Sequence, residues 1–191
     1  MPDKCRNSSS PKLVRYNTPG NAHDLTFSCY KRQKFITSDS VRQIIADSVN
    51  AASETHDFDI WAWVFMPEHI HLLIFPRRES YNMSEIVRSI KQSAARKIIT
   101  RIKHYRPELL VRLDTGHTRG RFRFWQDGGG FDRNYWTASR ILEQIDYIHM
   151  NPVRRGLVKA PIDWKWSSAR FWSLGTESPI LINGQFIPAE L

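Results

Sequence analysis

Apolar residues recur along this chain in two rhythms. Between residues 38 and 54 (SDSVRQIIADSVNAASE), Val41, Ile44, Ile45 and Val49 repeat at helical spacing behind a Ser/Asp start, which predicts a capped helix. A second helix is predicted from Asn82 to about Lys103, with the apolar stripe Ile86, Ile90, Ala94 and Ile98 and a basic opposite face. A third runs from Thr137 to Met150 and stops at Asn151-Pro152, because proline lacks an amide donor and restricts the residue before it. LTFSCYKRQKFI (25–36) reads as a strand or strand pair, FDIWAWVFMP (58–67) and HIHLLIFP (69–76) as strands, and GRFRFWQ (120–126) as a short fourth strand. Only Pro67-Glu68 links the second and third, so these two pair antiparallel. The order β-α-β-β-α-β followed by a helix predicts an α+β fold, a ferredoxin-like split βαβ sandwich: an antiparallel sheet with helices on one face, plus the C-terminal helix.

Composition sets the boundaries. The 191 residues suffice for one domain with a real core, expected at 21–175, between a loose leader (1–20) rich in Ser, Pro, Asn and Lys and a tail (176–191). Trp164, Trp166 and Trp172 read first as caps on that core. No apolar run approaches the ~18 residues of a membrane span, and the polar start is unlike a signal peptide. Cys5 and Cys29 are the only cysteines, which suits a reducing cytoplasm and gives no zinc-type spacing. There is no GxxxxGK[ST] loop, so no nucleotide cofactor is expected.

Charge adds a direction. The net charge is +9, and it is concentrated between Arg88 and Arg123, where eleven basic residues face only Glu108 and Asp114. The remainder of the chain sums to zero. Such a local excess favours a polyanion, most simply nucleic acid, although a solvated basic helix has the same signature.

Two groups of polar residues then stand out. In MPEHIHLLIF (66–75), His69 and His71 lie two apart on a strand, so they project from the same face, while Ile70 and Leu72 point into the core. Two neutral imidazoles side by side suit one metal ion, and two satisfied histidines explain the same pattern. Glu68, by strand alternation, is expected on the opposite face. In TASRILEQIDYIHMNP (137–152), Ile141, Ile145 and Ile148 form the core stripe with Leu142 on its shoulder, and Tyr147 falls off it near Asn151, one turn later. A phenol and an amide thus share a polar helix face, as would an ordinary half-exposed tyrosine. Two histidines with Asn151 would hold a divalent ion, magnesium or manganese, with manganese the better match to imidazole.

WAWVFMPEHIHLLIF (61–75), RFWQDGGGFDRNYW (123–136), YIHMNPVRRGLV (147–158) and DWKWSS (163–168) together resemble the REP-associated tyrosine transposases, within the wider group of single-tyrosine HUH transposases. The resemblance spans about residues 13–173. It implies a ferredoxin-like fold and metal-dependent cleavage and joining of single-stranded DNA guided by hairpins, through a 5′-phosphotyrosine. Carried over, His69 and His71 match the metal ligands, Tyr147 the nucleophile and Asn151 the third ligand, where many of the wider group have glutamine. For DNA binding the expected residues are Arg119, Arg121 and Arg123, alternating on the predicted strand with Trp125, and Arg154 and Arg155 after the tyrosine helix. The three glycines 128–130 are read as a tight loop or a close backbone approach, or equally as a plain flexible turn. The resemblance leaves monomer or homodimer open. The competing readings are a non-cleaving binder of hairpin DNA or RNA and a metal-dependent hydrolase.

Overall fold

Four strands, β1 (Ala22–Ser28), β2 (Phe58–Phe65), β3 (His69–Pro76) and β4 (Phe131–Tyr135), pair antiparallel in the order β2-β3-β1-β4. This computed structural model describes residues 15–183, so residues 1–14 of the expected leader and 184–191 of the expected tail lie outside the described residues. With α1 (Asp39–His56) and α2 (Met83–Tyr105) as crossovers, the sheet order is that of a ferredoxin-like split βαβ sandwich. The C-terminal helices are α3 (Ala138–His149), α4 (Asn151–Arg154) and α5 (Ala169–Leu174).

Local signals explain the helix starts. Ser38 caps α1 by accepting from the Val41 amide, and the Asn82 side chain caps α2 by accepting from the amides of Ser84 and Glu85. Strand alternation then sorts the core into two layers. Leu25, Phe27, Ile70, Leu72 and Ile74 face α1 and α2, while Ala22, Val64 and Leu73 face Ile141, Ile145 and Ile148 of α3. A register shift after Ile60 puts both Trp61 and Ala62 on the α3 side. The sheet is therefore covered on both faces, and α3 lies across it from α1 and α2.

β2 is an edge strand, yet all eight of its residues are buried. The C-terminal segment covers it: Trp166 and Trp63 carbonyls accept from Phe65 and Ser168 amides, and the Asn183 amide donates to the Ile60 carbonyl. Trp166 is buried, and the Trp164 and Trp172 indoles donate to the Phe65 and Trp61 carbonyls, so the tryptophans do cap the core. Within the expected tail, Ile180 is fully buried.

The fourth strand differs from expectation. Residues 120–126 make only isolated bridges, Asp114 to Phe122 and Cys29 to Trp125, and β4 lies further on at Phe131–Tyr135. Gly130 marks the start of that pairing. It has φ +76° and sits so close to the Thr26 carbonyl and Phe27 that a side chain has no room, and the continuous pairing with β1 starts at the next residue, Phe131 opposite Thr26. Of the readings of the triple glycine, close backbone approach is the one realised at Gly130.

Candidate active site

His69 and His71, the first and third residues of β3, project toward the α3 side of the sheet, with ring centres 5.0 Å apart and planes at 80°. Ile70 and Leu72 point into the opposite core layer, as alternation requires. Both imidazoles are oriented through Nδ1. Thr26 lies opposite His71 in the β1–β3 register, and its Oγ1 pairs with His71 Nδ1 at 2.8 Å. His69 Nδ1 lies 3.3 Å from Glu68 Oε1. With Nδ1 engaged, Nε2 is the nitrogen left to bind a ligand on each ring.

The position of Glu68 corrects the expectation that it faces away. It belongs to the turn between β2 and β3, outside the pleat, so alternation does not govern it. The turn is fixed by the Met66 amide donating to the His69 carbonyl and the Cys29 amide donating to the Glu68 carbonyl. The Glu68 side chain then folds back to His69 and accepts from Arg155 Nη2 at 2.6 Å.

The imidazoles are held neutral. Burial pushes His71 down to about 3, with His69 and Arg154 adding to the effect, and burial holds His69 below the usual range against the opposing pull of Glu68. Neutral imidazole is the form that binds metal.

α3 brings Tyr147 to the same place. Its core face is Ile141, Gln144, Ile145 and Ile148, while Leu142 lies exposed on the flank and Tyr147 is half-exposed beside the sheet. The Tyr147 ring centre is 6.4 Å from that of His71. Arg154 folds back over the phenol, its guanidinium 4.2 Å from the ring centre, and donates to the Tyr147 carbonyl. Asn151 Nδ2 donates to the carbonyls of Tyr147 and Ile148, which leaves its amide oxygen as the group able to hold a cation. Among the described residues, no group of three or more His, Cys, Asp or Glu side chains is arranged to hold a metal ion. Two neutral imidazoles and an amide oxygen fit a small divalent cation, magnesium or manganese.

Arg119, Arg121 and Arg123 sit on the 114–127 segment, where Arg121 pairs with Asp114 and Arg123 with Asp127, each at 3.0 Å. Trp125 needs correction as a stacking surface. It is 4% exposed, its ring packs edge-on against Phe27 and Phe124, and its indole donates to the Lys91 carbonyl. The basic stripe of α2, with Arg88, Arg96, Lys97, Arg101 and Lys103 exposed, lies across the sheet from the histidines. Thr26 and Glu68 were missed by sequence reasoning; Thr26 becomes visible only with the strand register, and Glu68 carried the one signal of adjacency to His69.

A ferredoxin-like sheet with a paired-histidine strand is faced by a tyrosine on α3 and an asparagine at the start of α4, four residues on. The chain belongs to the IS200-like transposase family, whose model matches residues 21–122. An Escherichia coli K12 REP-associated tyrosine transposase is 24% identical over 159 residues, covering 81% of this chain and 79% of that protein. A Haemophilus influenzae protein, provisionally named the same way, is 23% identical over 151 residues, 79% of this chain and 81% of its own. A solved REP-associated tyrosine transposase bound to a REP hairpin shares the fold at TM-score 0.67 and 21% identity, covering 91% of this chain and 92% of that one. Among the described residues no helix is long and apolar enough to cross a membrane.

Proposed function

We propose that this protein binds hairpin DNA and cleaves and rejoins the adjoining single strand, with Tyr147 as the nucleophile. The observation that carries the reading is the convergence of His69 and His71 from β3, Tyr147 from α3 and Asn151 from the start of α4 on one side of the sheet. Membership of a transposase family and the hairpin in the name of the solved relative support it.

In the proposed step the Tyr147 oxygen forms a bond to phosphorus as the bond to the 3′ oxygen breaks. The phenolic proton leaves to solvent, the departing oxygen gains a proton to become a 3′-hydroxyl, and the 5′ phosphate stays on the tyrosine. The phosphodiester energy is retained in that link, so rejoining is the same step reversed with a new 3′-hydroxyl. His69, His71 and Asn151 would hold the divalent cation, which when bound polarises the scissile phosphate and offsets the charge that develops on it. Arg154 holds the phenol ring in place through its face and presents a cation to the phosphate beside it. Arg155, through Glu68, ties the segment after the tyrosine helix to the histidine strand. The α2 stripe supplies a cationic surface for the stem on the other side of the sheet.

The test is a denaturing gel of the protein with labelled single-stranded hairpin DNA from the flanks of its own gene, with manganese. A covalent protein–DNA band that is lost in Tyr147→Phe and on chelation supports the reading. Binding with no covalent band replaces it with the non-cleaving hairpin binder.

A further inference from the structure

Helix α3 meets the sheet through Ile141, Ile145 and Ile148, and attraction across an apolar face of this kind is non-directional. It holds the helix against the strands but fixes neither its rotation nor its height. The Tyr147 oxygen, at the end of a long side chain, moves with both. Two buried polar side chains of α3 add direction. Gln144 Nε2 donates to Asp24 Oδ2 at 2.9 Å, about one turn before Tyr147. His149, the last residue of the helix, stands midway between Tyr147 and Asn151, and its Nε2 lies 2.8 Å from Ser168 Oγ. Two stretches that stand out in the sequence, YIHMNPVRRGLV (147–158) and DWKWSS (163–168), thus meet at one hydrogen bond.

Ser168 is a fixed partner. It is fully buried and bound to Trp63 of β2 three times: its amide donates to the Trp63 carbonyl at 3.0 Å, its hydroxyl donates to the same carbonyl at 3.2 Å, and its Oγ accepts from the Trp63 amide at 2.9 Å. The hydroxyl proton is committed to that carbonyl, so the remaining lone pair accepts and His149 donates through Nε2–H. The next residue of β2, Val64, pairs with His71 across the sheet. A short run of hydrogen bonds therefore joins the helix end that carries Tyr147 to the strand that carries the histidines. Other polar groups at this helix end bond to the helix itself: Asn151 and Arg154 donate to the Tyr147 carbonyl, and Asn151 also to that of Ile148. Arg155, which reaches Glu68, does so from the exposed side.

We infer that His149 is a positioning residue for the nucleophile. Through Ser168 it ties the end of α3 to β2, and so sets where the Tyr147 oxygen and the Asn151 amide stand relative to His69 and His71. The inference rests on the cleavage reading above, in which His149 touches neither DNA nor metal and acts through its neighbours. A misplacement of about 1 Å at a reacting group costs on the order of 100-fold in rate, while binding of a hairpin stem does not depend on the phenol at all.

The test uses three substitutions in the full-length protein. His149→Leu removes the hydrogen bond and keeps most of the volume. His149→Asn is polar but too short to reach Ser168, and His149→Gln places an amide donor at a reach similar to Nε2. Hairpin affinity is measured, and then the rate of covalent adduct formation against the concentration of single-stranded hairpin DNA, with manganese. Leu and Asn are expected to bind the hairpin as the parent does, to need the same DNA concentration for half the maximal rate, and to have that maximal rate lowered roughly 10- to 100-fold. Gln is expected to recover most of it. Ser168→Ala is expected to slow the same step, and the double variant with His149→Leu to be no slower than the slower single variant, because one contact is lost in each. A maximal rate unchanged in Leu and Asn overturns the inference and leaves the cleavage reading intact. So does a rate that falls only in step with hairpin affinity, or a Gln variant as slow as Leu. A parent protein that binds the hairpin and forms no adduct overturns the cleavage reading and the inference together.

Discussion

Glu68 Oε1 lies 3.3 Å from His69 Nδ1 and accepts from Arg155 at the same oxygen. A carboxylate on the far nitrogen of a metal-binding imidazole selects the tautomer and holds the ring, and losing such a partner costs about 10- to 100-fold in metal affinity. Glu68→Ala is therefore expected to weaken manganese binding by that factor, measured by paramagnetic resonance of the free ion. Arg155→Ala is expected to give a smaller loss in the same measurement. Unchanged affinity in both would show that the contact is structural only.

Gly130 tests the link between the loop and the histidines. Its positive φ and its approach to Thr26 leave no space for a side chain, and Thr26 is the residue that orients His71. Gly130→Ala is expected to cost roughly 1–3 kcal/mol in urea unfolding and to lower metal affinity with it. Gly128, which meets nothing within 4 Å, gives a comparison in which only the backbone strain is introduced.

Trp125 separates packing from recognition. Because the indole is buried between Phe27 and Phe124, Trp125→Ala is expected to destabilise the fold by about 3–5 kcal/mol. Calorimetry should show that loss without any DNA present. Arg154→Ala, in contrast, should leave the melting temperature nearly unchanged and reduce cleavage, because the arginine is exposed and acts at Tyr147.

Asp24 sets a pH dependence. Burial pushes its carboxyl up from 3.8 to about 7, with Asp132 adding to the rise and the Gln144 hydrogen bond opposing it, and Oδ1 has no partner among the described residues. The folded state thus holds the proton more tightly than the unfolded state does. Its contribution to stability is complete below about pH 4 and is lost as pH rises to about 7. Buried His71 and His149 act with the opposite sign over acidic pH, so the parent protein alone does not isolate the effect. The difference between Asp24→Asn and the parent does. The variant is expected to be more stable at pH 8, on the order of 3 kcal/mol, with the gap closing toward pH 4 in urea titrations.

Local pattern alone determined much of this protein. The helical periods of Val41–Val49 and Ile86–Ile98 and the alternation through His69–Phe75 each follow from neighbours along the chain, and each matches an observed element, whereas Asn151-Pro152, expected to stop the helix, instead open α4 after α3 ends at His149, because proline is tolerated in a first helical turn. The paired direction of His69 and His71 and the turn between Tyr147 and Asn151 are likewise consequences of strand and helix geometry. What the tertiary structure decided depends on residues distant in sequence. Strand register set Thr26 against His71. The last strand formed at Phe131–Tyr135, directly after the close approach of Gly130 to Thr26, and not at 120–126. Burial removed Trp125 from the candidate DNA contacts, and the sheet placed the α2 charges across from the histidines. Side-chain alternation says which face a residue takes, but not which partner waits there; that is settled only when the hydrogen bonds between strands fix the register.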